Sequence, residues 1–158
     1  MYSLSSPLQL GKGGEHLVCA DLIFQGYNAF LADQGLPFDI IVEIKGRLLK
    51  IQVKTSTRLV KYGKYSTGPT YPFMTRKGSM RKSTGRVTMI NELDYFAFVV
   101  VPTRQIAYMS MEDLKSKNTG QVLQLIEFKT RKFEYPIGKR QNRVMGKFFE
   151  DYEKFKPL

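Results

Sequence analysis

The chain has 158 residues, 42% of them hydrophobic, enough for one domain with its own core and against wholesale disorder. Lys and Arg total 25 against 14 Asp and Glu, and the net charge of +11 favours a polyanionic partner through phosphate neutralisation and counterion release. One cysteine (Cys19) and one histidine (His16) exclude an intramolecular disulfide and a Cys/His zinc site within one chain; with no bilayer-length apolar run and no secretory pattern in MYSLSSPLQLGKGG, a reducing cytoplasmic setting and no membrane partner are expected.

In chain order, Gly13 to Phe24 (GGEHLVCADLIF) predicts a largely apolar helix with Gly26 as its stop. Glu15 then falls in its first turn, where a carboxylate meets the positive end of the helix dipole. The GKGG at Gly11 to Gly14 lacks the spacer and ending of a Walker A loop, and it reads as freeing the helix start for close approach to a DNA backbone. His16 and Cys19 read as surface or packing residues. Tyr27 to Ala32 is a short strand or an extended link. Asp39 to Ile44 and Leu48 to Thr55 predict two antiparallel strands about a Lys45-Gly46 turn, because Leu49, Ile51 and Val53 alternate with Lys50, Gln52 and Lys54.

Residues 57–88 form a long Gly-, Ser- and Tyr-rich excursion with short strand pieces at most. No acidic residue occurs between Glu43 and Glu92, whereas Lys61, Lys64, Arg76, Lys77, Arg81, Lys82 and Arg86 all fall in the excursion. A merely soluble surface would intersperse the two signs. Tyr62, Tyr65, Tyr71 and Phe73 interleave with these charges, either to stack on nucleic acid or to anchor the excursion to the core. Asp94 to Val101 (DYFAFVVV) predicts a central strand ended by Pro102, and Gln105 to Met109 the next strand. Ser110 predicts an N-cap for a short helix to about Lys117. Val122 to Phe128 reads as a strand, with helix as the alternative. Val144, Met145, Phe148, Phe149, Tyr152 and Phe155 recur at helical spacing and predict a terminal helix. The expected class is α/β, with a mixed central sheet flanked by helices and an inserted basic loop region, all in one domain over 1–158.

Pairing Ile44 with Arg47 across the turn sets Asp39 directly opposite Gln52 and Lys54 one step diagonal. Such cross-strand neighbours lie about 4.5–5.5 Å apart at Cβ. With Glu15 from the helix behind, two carboxylates and an amide oxygen suit a hard cation such as Mg²⁺, and Lys54 can orient water or stabilise developing charge at phosphorus. The structural alternative is that Asp39 caps a strand or turn while Gln52 and Lys54 decorate a wet sheet face.

Helix Glu15, then PFD at Pro37 to Asp39, then QVK at Gln52 to Lys54 resembles the PD-(D/E)XK nuclease superfamily, and within it the bacterial group I intron homing endonucleases. The match covers about the first third of the chain, and DYFAFVVV and AYM extend it more weakly to about Met109. The resemblance implies a restriction-endonuclease-like core and site-specific, Mg²⁺-dependent double-strand DNA cleavage, with Mn²⁺ able to substitute, by a homodimer or homotetramer. It also implies Asp39, Gln52, Lys54 and Glu15 as catalytic residues, with Asp39, Glu15 and Gln52 holding the metal. Two departures stand out: Phe38 separates Pro37 from Asp39, and Gln52 replaces the usual second acid, as it does in some homing-type members. DNA contacts are expected from the excursion and from Arg140 and Arg143 in KRQNRVMGK. Alternatives are a Holliday-junction resolvase or restriction-type nuclease, and a catalytically silent nucleic-acid-binding module on the same fold.

Overall fold

A computed structural model describes residues 6–60, 70–75, 92–130 and 147–157. Helix α1 spans Pro7–Phe24. Ser6 caps it by accepting the Gln9 backbone N–H at 3.2 Å, and Pro7 occupies the first turn, where its missing N–H costs nothing. Gly26 adopts φ +92°, the left-handed stop expected there. The helix therefore starts at Pro7, not Gly13, and GKGG lies inside it. Glu15 is in the third turn, not the first, so the helix dipole does not account for its position.

The strands are β1 (Asn28–Leu31), β2 (Ile40–Ile44), β3 (Arg47–Ser56), β4 (Tyr71–Met74), β5 (Tyr95–Val100), β6 (Gln105–Ser110), β7 (Leu125–Lys129) and β8 (Lys147–Phe148). One sheet has five strands in the order β1-β2-β3-β5-β6, and another has three in the order β4-β7-β8. The β3–β5 pair is parallel and its neighbours are antiparallel, so the larger sheet is mixed as expected. Lys45 (φ 50°) and Gly46 (φ 80°) are both left-handed, the two-residue hairpin turn whose twist matches the flanking strands. Glu43 Oε1 accepts the Gly46 N–H at 2.6 Å and closes that turn.

Strand β5 explains why there are three layers. All six of its residues are buried. Tyr95, Ala97 and Val99 face a core shared with Val18 and Leu22 of α1 and with Ile40, Val42, Ile51 and Val53. Phe96, Phe98 and Val100 face a second core shared with Tyr71 and Phe73 of β4, Ile126 and Phe128 of β7, and Phe149. The large sheet is thus covered by a helix on one side and by the smaller sheet on the other. Burying both faces of a strand this apolar removes most of its side-chain surface from water, at roughly 25 cal/mol per Å².

Two expected helices are not found among the described residues. The terminal aromatic stripe forms β8 and a 3-10 turn at Phe149–Asp151, followed by irregular chain. Its spacing is not one helix face. Phe149 stacks on Phe128 at 4.7 Å in the second core, whereas Phe155 packs edge-on against Tyr27, Tyr95 and Tyr108 in the first. Val144 and Met145 lie outside the described residues. At Ser110 the cap chemistry is present: the Asp113 N–H donates to the Ser110 hydroxyl at 3.1 Å, and that hydroxyl donates to the Asp113 carboxylate at 2.8 Å. Only turns follow, and Lys115 pairs with Val122 in an isolated bridge. The segment expected as a strand over Val122 to Phe128 is strand over Leu125–Lys129. Tyr71 and Phe73 are 7% and 3% exposed, so these two aromatics anchor the excursion and do not stack on a ligand. Tyr62 and Tyr65 lie outside the described residues.

Candidate active site

The register is the one derived from the alternation. Ile44 pairs with Arg47 and Ile40 with Ile51, which carries Asp39 to the position opposite Gln52. The Asp39 backbone N–H donates to Ile51 O at 2.9 Å and fixes the residue at the mouth of β2. Asp39 Oδ2 accepts from the Val53 N–H at 2.7 Å and from Gln52 Nε2 at 2.5 Å. Both bonds hold the carboxylate against β3. Lys54, the next residue on the Gln52 face of β3, lies close enough for its charge to favour the Asp39 anion.

Burial is the largest influence on Asp39, and it pushes the carboxyl pKa above the ordinary aspartate value. The Val53 N–H opposes that shift, the Glu15 carboxylate adds to it, and Lys54 and Gln52 oppose it more weakly. Glu15 therefore reaches Asp39 electrostatically from α1. A cation placed between the two carboxylates would relieve the cost of the half-buried Asp39 anion.

The approach of α1 depends on Gly14. A Cβ there would collide with Cγ2 of Thr55 on β3. Gly14 thus lets the helix come close enough to bring Glu15, the next residue, to the hairpin. At Gly11 and Gly13, leaving aside chain neighbours and the helix's own backbone, nothing lies within 4 Å of where a Cβ would stand. The departure at Phe38 also has a packing reason. Its ring lies against the second core, and Lys50 Nζ sits 5.4 Å from the ring centroid. Phe38 thereby pins the backbone immediately before Asp39.

Two participants escaped sequence reasoning. Lys12 Nζ lies 2.7 Å from Glu15 Oε2, and its hydrogen bond to Glu15 holds the ammonium pKa above the usual lysine value, with Asp39 contributing. The signal was an i,i+3 pair, hidden by starting the helix one residue after it. Asp94 Oδ2 accepts the Lys50 N–H at 2.8 Å and ties the entry of β5 to β3. His16 is exposed, and Cys19 is half-buried with Sγ 3.6 Å from Ala29 O, in keeping with surface and packing roles.

Lys61, Lys64, Arg76, Lys77, Arg81, Lys82, Arg86, Arg140 and Arg143 all lie outside the described residues. Lys147 is described, and its Nζ donates to the Tyr152 hydroxyl at 3.2 Å. A separate depression lined by Asp21, Arg104, Gln105, Glu150 and Glu153 shares no residue with the carboxylate pair. There Asp21 accepts from Tyr108 at 2.6 Å and Gln25 at 2.7 Å, and Gln25 accepts the Phe155 N–H, so this network ties α1 to the C-terminal segment. Among the described residues no group of three Asp, Glu, His or Cys side chains is placed to hold a metal.

A helix acid behind a hairpin bearing D…QxK, on a mixed sheet, is the architecture of a nuclease core. The family model of the PD-(D/E)XK endonuclease matches residues 6–137, and the chain belongs to that family. Its fold is similar to that of the bacterial homing endonuclease I-Ssp6803I, with 16% identity, a TM-score of 0.52, and coverage of 87% of this chain and 81% of the other. No curated protein matches the chain. Among the described residues, no helix is long and apolar enough to cross a membrane.

Proposed function

We propose that this endonuclease is a site-specific, homing-type enzyme that cuts double-stranded DNA with Mg²⁺. The observation that carries this is the alignment of Asp39 with Gln52 across the hairpin, with Glu15 close enough to act on the same carboxylate. The donor set is all oxygen and fits a hard divalent ion: Asp39, Glu15 and the Gln52 carbonyl, with waters and a substrate phosphate completing the shell. Mn²⁺ would substitute. When bound, such an ion supplies Lewis-acid polarisation of the phosphoryl group and a lowered pKa for water.

Asp39 is held by the Val53 and Gln52 donors on Oδ2, which leaves Oδ1 as its ligating oxygen. Lys54 orients the attacking water and offsets negative charge growing on the phosphoryl oxygens. The water oxygen bonds to phosphorus and gives up a proton to solvent, the bond from phosphorus to the 3′ oxygen breaks, and the leaving oxygen takes a proton from solvent water. The 57–88 excursion enters a groove and binds DNA through Lys61, Lys64, Arg76, Lys77, Arg81, Lys82 and Arg86, with Arg140 and Arg143 as a second contact. A homodimer or homotetramer, bringing two copies of the hairpin to one duplex, reads and cuts a long site.

The likeness to a homing endonuclease favours that type over a junction resolvase. The test is sequencing of ends from a randomised duplex library, with and without Mg²⁺, beside a four-way junction. Discrete Mg²⁺-dependent cuts at one long duplex site are expected. Preferential cutting of the junction would make the protein a resolvase, and intact salt-sensitive binding without cuts would make it a silent binding module.

A further inference from the structure

The proposed metal ligands have a cation beside them that belongs to the chain. Lys12 lies one helical turn before Glu15, with Nζ at 2.7 Å from Oε2, and it also interacts with Asp39. Its side chain is 37% exposed while that of Glu15 is 15% exposed, so the ammonium enters the site from the solvent side. The flanking Gly11 and Gly13 bring no side chain of their own beside it.

We propose that Lys12 is a built-in competitor for the divalent ion: it occupies the Glu15 oxygen until the ion displaces it, and so sets the metal affinity of the site. This rests on the nuclease reading above. A Mg²⁺ ion takes carboxylate oxygens at about 2.0–2.1 Å. With the ammonium still on Oε2, the two cations would stand only a few ångströms apart, and their repulsion is substantial even at a protein-surface dielectric. Binding at Oε2 therefore requires the ammonium to leave, and an ion on Oε1 would bind against its repulsion. Between binding events the ion pair keeps Glu15 and Asp39 from facing each other without a counter-charge. The rival reading is an ordinary surface pair that merely steadies the helix, which would leave metal affinity untouched.

The test is calorimetric titration of the full chain with Mn²⁺, and separately with Ca²⁺, without DNA. Lys12→Met is expected to bind about threefold to tenfold more tightly than wild type, with Lys12→Arg close to wild type. In a Glu15→Gln background, Lys12→Met should gain far less, because the shared oxygen has lost its charge. Thermal melts of each variant confirm that the fold is kept. Equal or weaker binding by a folded Lys12→Met overturns the competitor role while leaving the nuclease reading intact. Absence of measurable binding by wild type removes the metal site itself, and the competitor role with it.

Discussion

The β2–β3 hairpin and strand β5 lie side by side in one sheet but obey different rules. The hairpin has one face on α1 and a second face that stays partly polar at Lys50, Gln52 and Lys54, so its sequence alternates. Strand β5 is buried on both faces, so its sequence does not alternate. The difference places the polar residues. The small sheet covers Phe96 and Phe98, and the register pairs Phe96 with Gln52 and Phe98 with Lys54. The polar residues thus stand beside an apolar wall, where Asp39 is half-buried and its charge is costly.

The sharpest way to break this contrast is to remove the Asp39 charge. Asp39→Asn should lose at least about a thousandfold of Mg²⁺-dependent cleavage, measured on a defined target, if the carboxylate is a metal ligand. It should also melt at the same or a higher temperature at neutral pH. Burial raises the folded-state pKa, so any stability from this group is full below the unfolded value and is lost as pH rises through the folded one. At neutral pH the carboxylate therefore costs stability. Metal affinity should correspondingly fall, on acidification, at a pH above that of an ordinary aspartate. A titration of Mn²⁺ binding against pH checks this, and a midpoint at or below the ordinary aspartate value would count against it.

Removing the wall is next in size. Phe98 touches Phe73, Phe96 and Phe128, with centroids 5.2 to 5.8 Å away. Phe98→Ala should cost about 3–5 kcal/mol in denaturant unfolding. Exposed Leu48, at 60% exposure on the open part of the hairpin, should cost well under 1 kcal/mol as Leu48→Ser.

The helix supplies a finer comparison. Gly14→Ala forces a methyl onto Thr55 and should cost about 1–3 kcal/mol, with a larger loss of activity as Glu15 is levered away. Gly11→Ala and Gly13→Ala meet nothing and should each stabilise the helix by up to about 1 kcal/mol. Thermal melts of the three variants decide the matter. Equal effects at all three positions would refute the contact argument.

The hairpin was legible because a two-residue turn and period-two alternation fix the register without further help, and register alone sets Asp39 against Gln52. The start of α1 was not legible from GKGG, since glycines that look like breakers sit inside the helix, one of them held there by Thr55; Ser6-Pro7 was the available signal. The second layer was harder still. Nothing local in YPFM or LIEFK says that they pair with each other across the intervening chain, and the need to cover the second face of β5 was the only hint. The terminal aromatics misled because a chain passing between two cores spaces its large residues much as a helix would.

The most direct measurement is anomalous diffraction from crystals soaked in Mn²⁺. The prediction is a peak within ligand distance of the Asp39 and Glu15 carboxylates, with the Lys12 ammonium moved off Glu15. A Mn²⁺ peak elsewhere on the chain, with Asp39 and Glu15 bare, would contradict the assignment of the hairpin as the metal site.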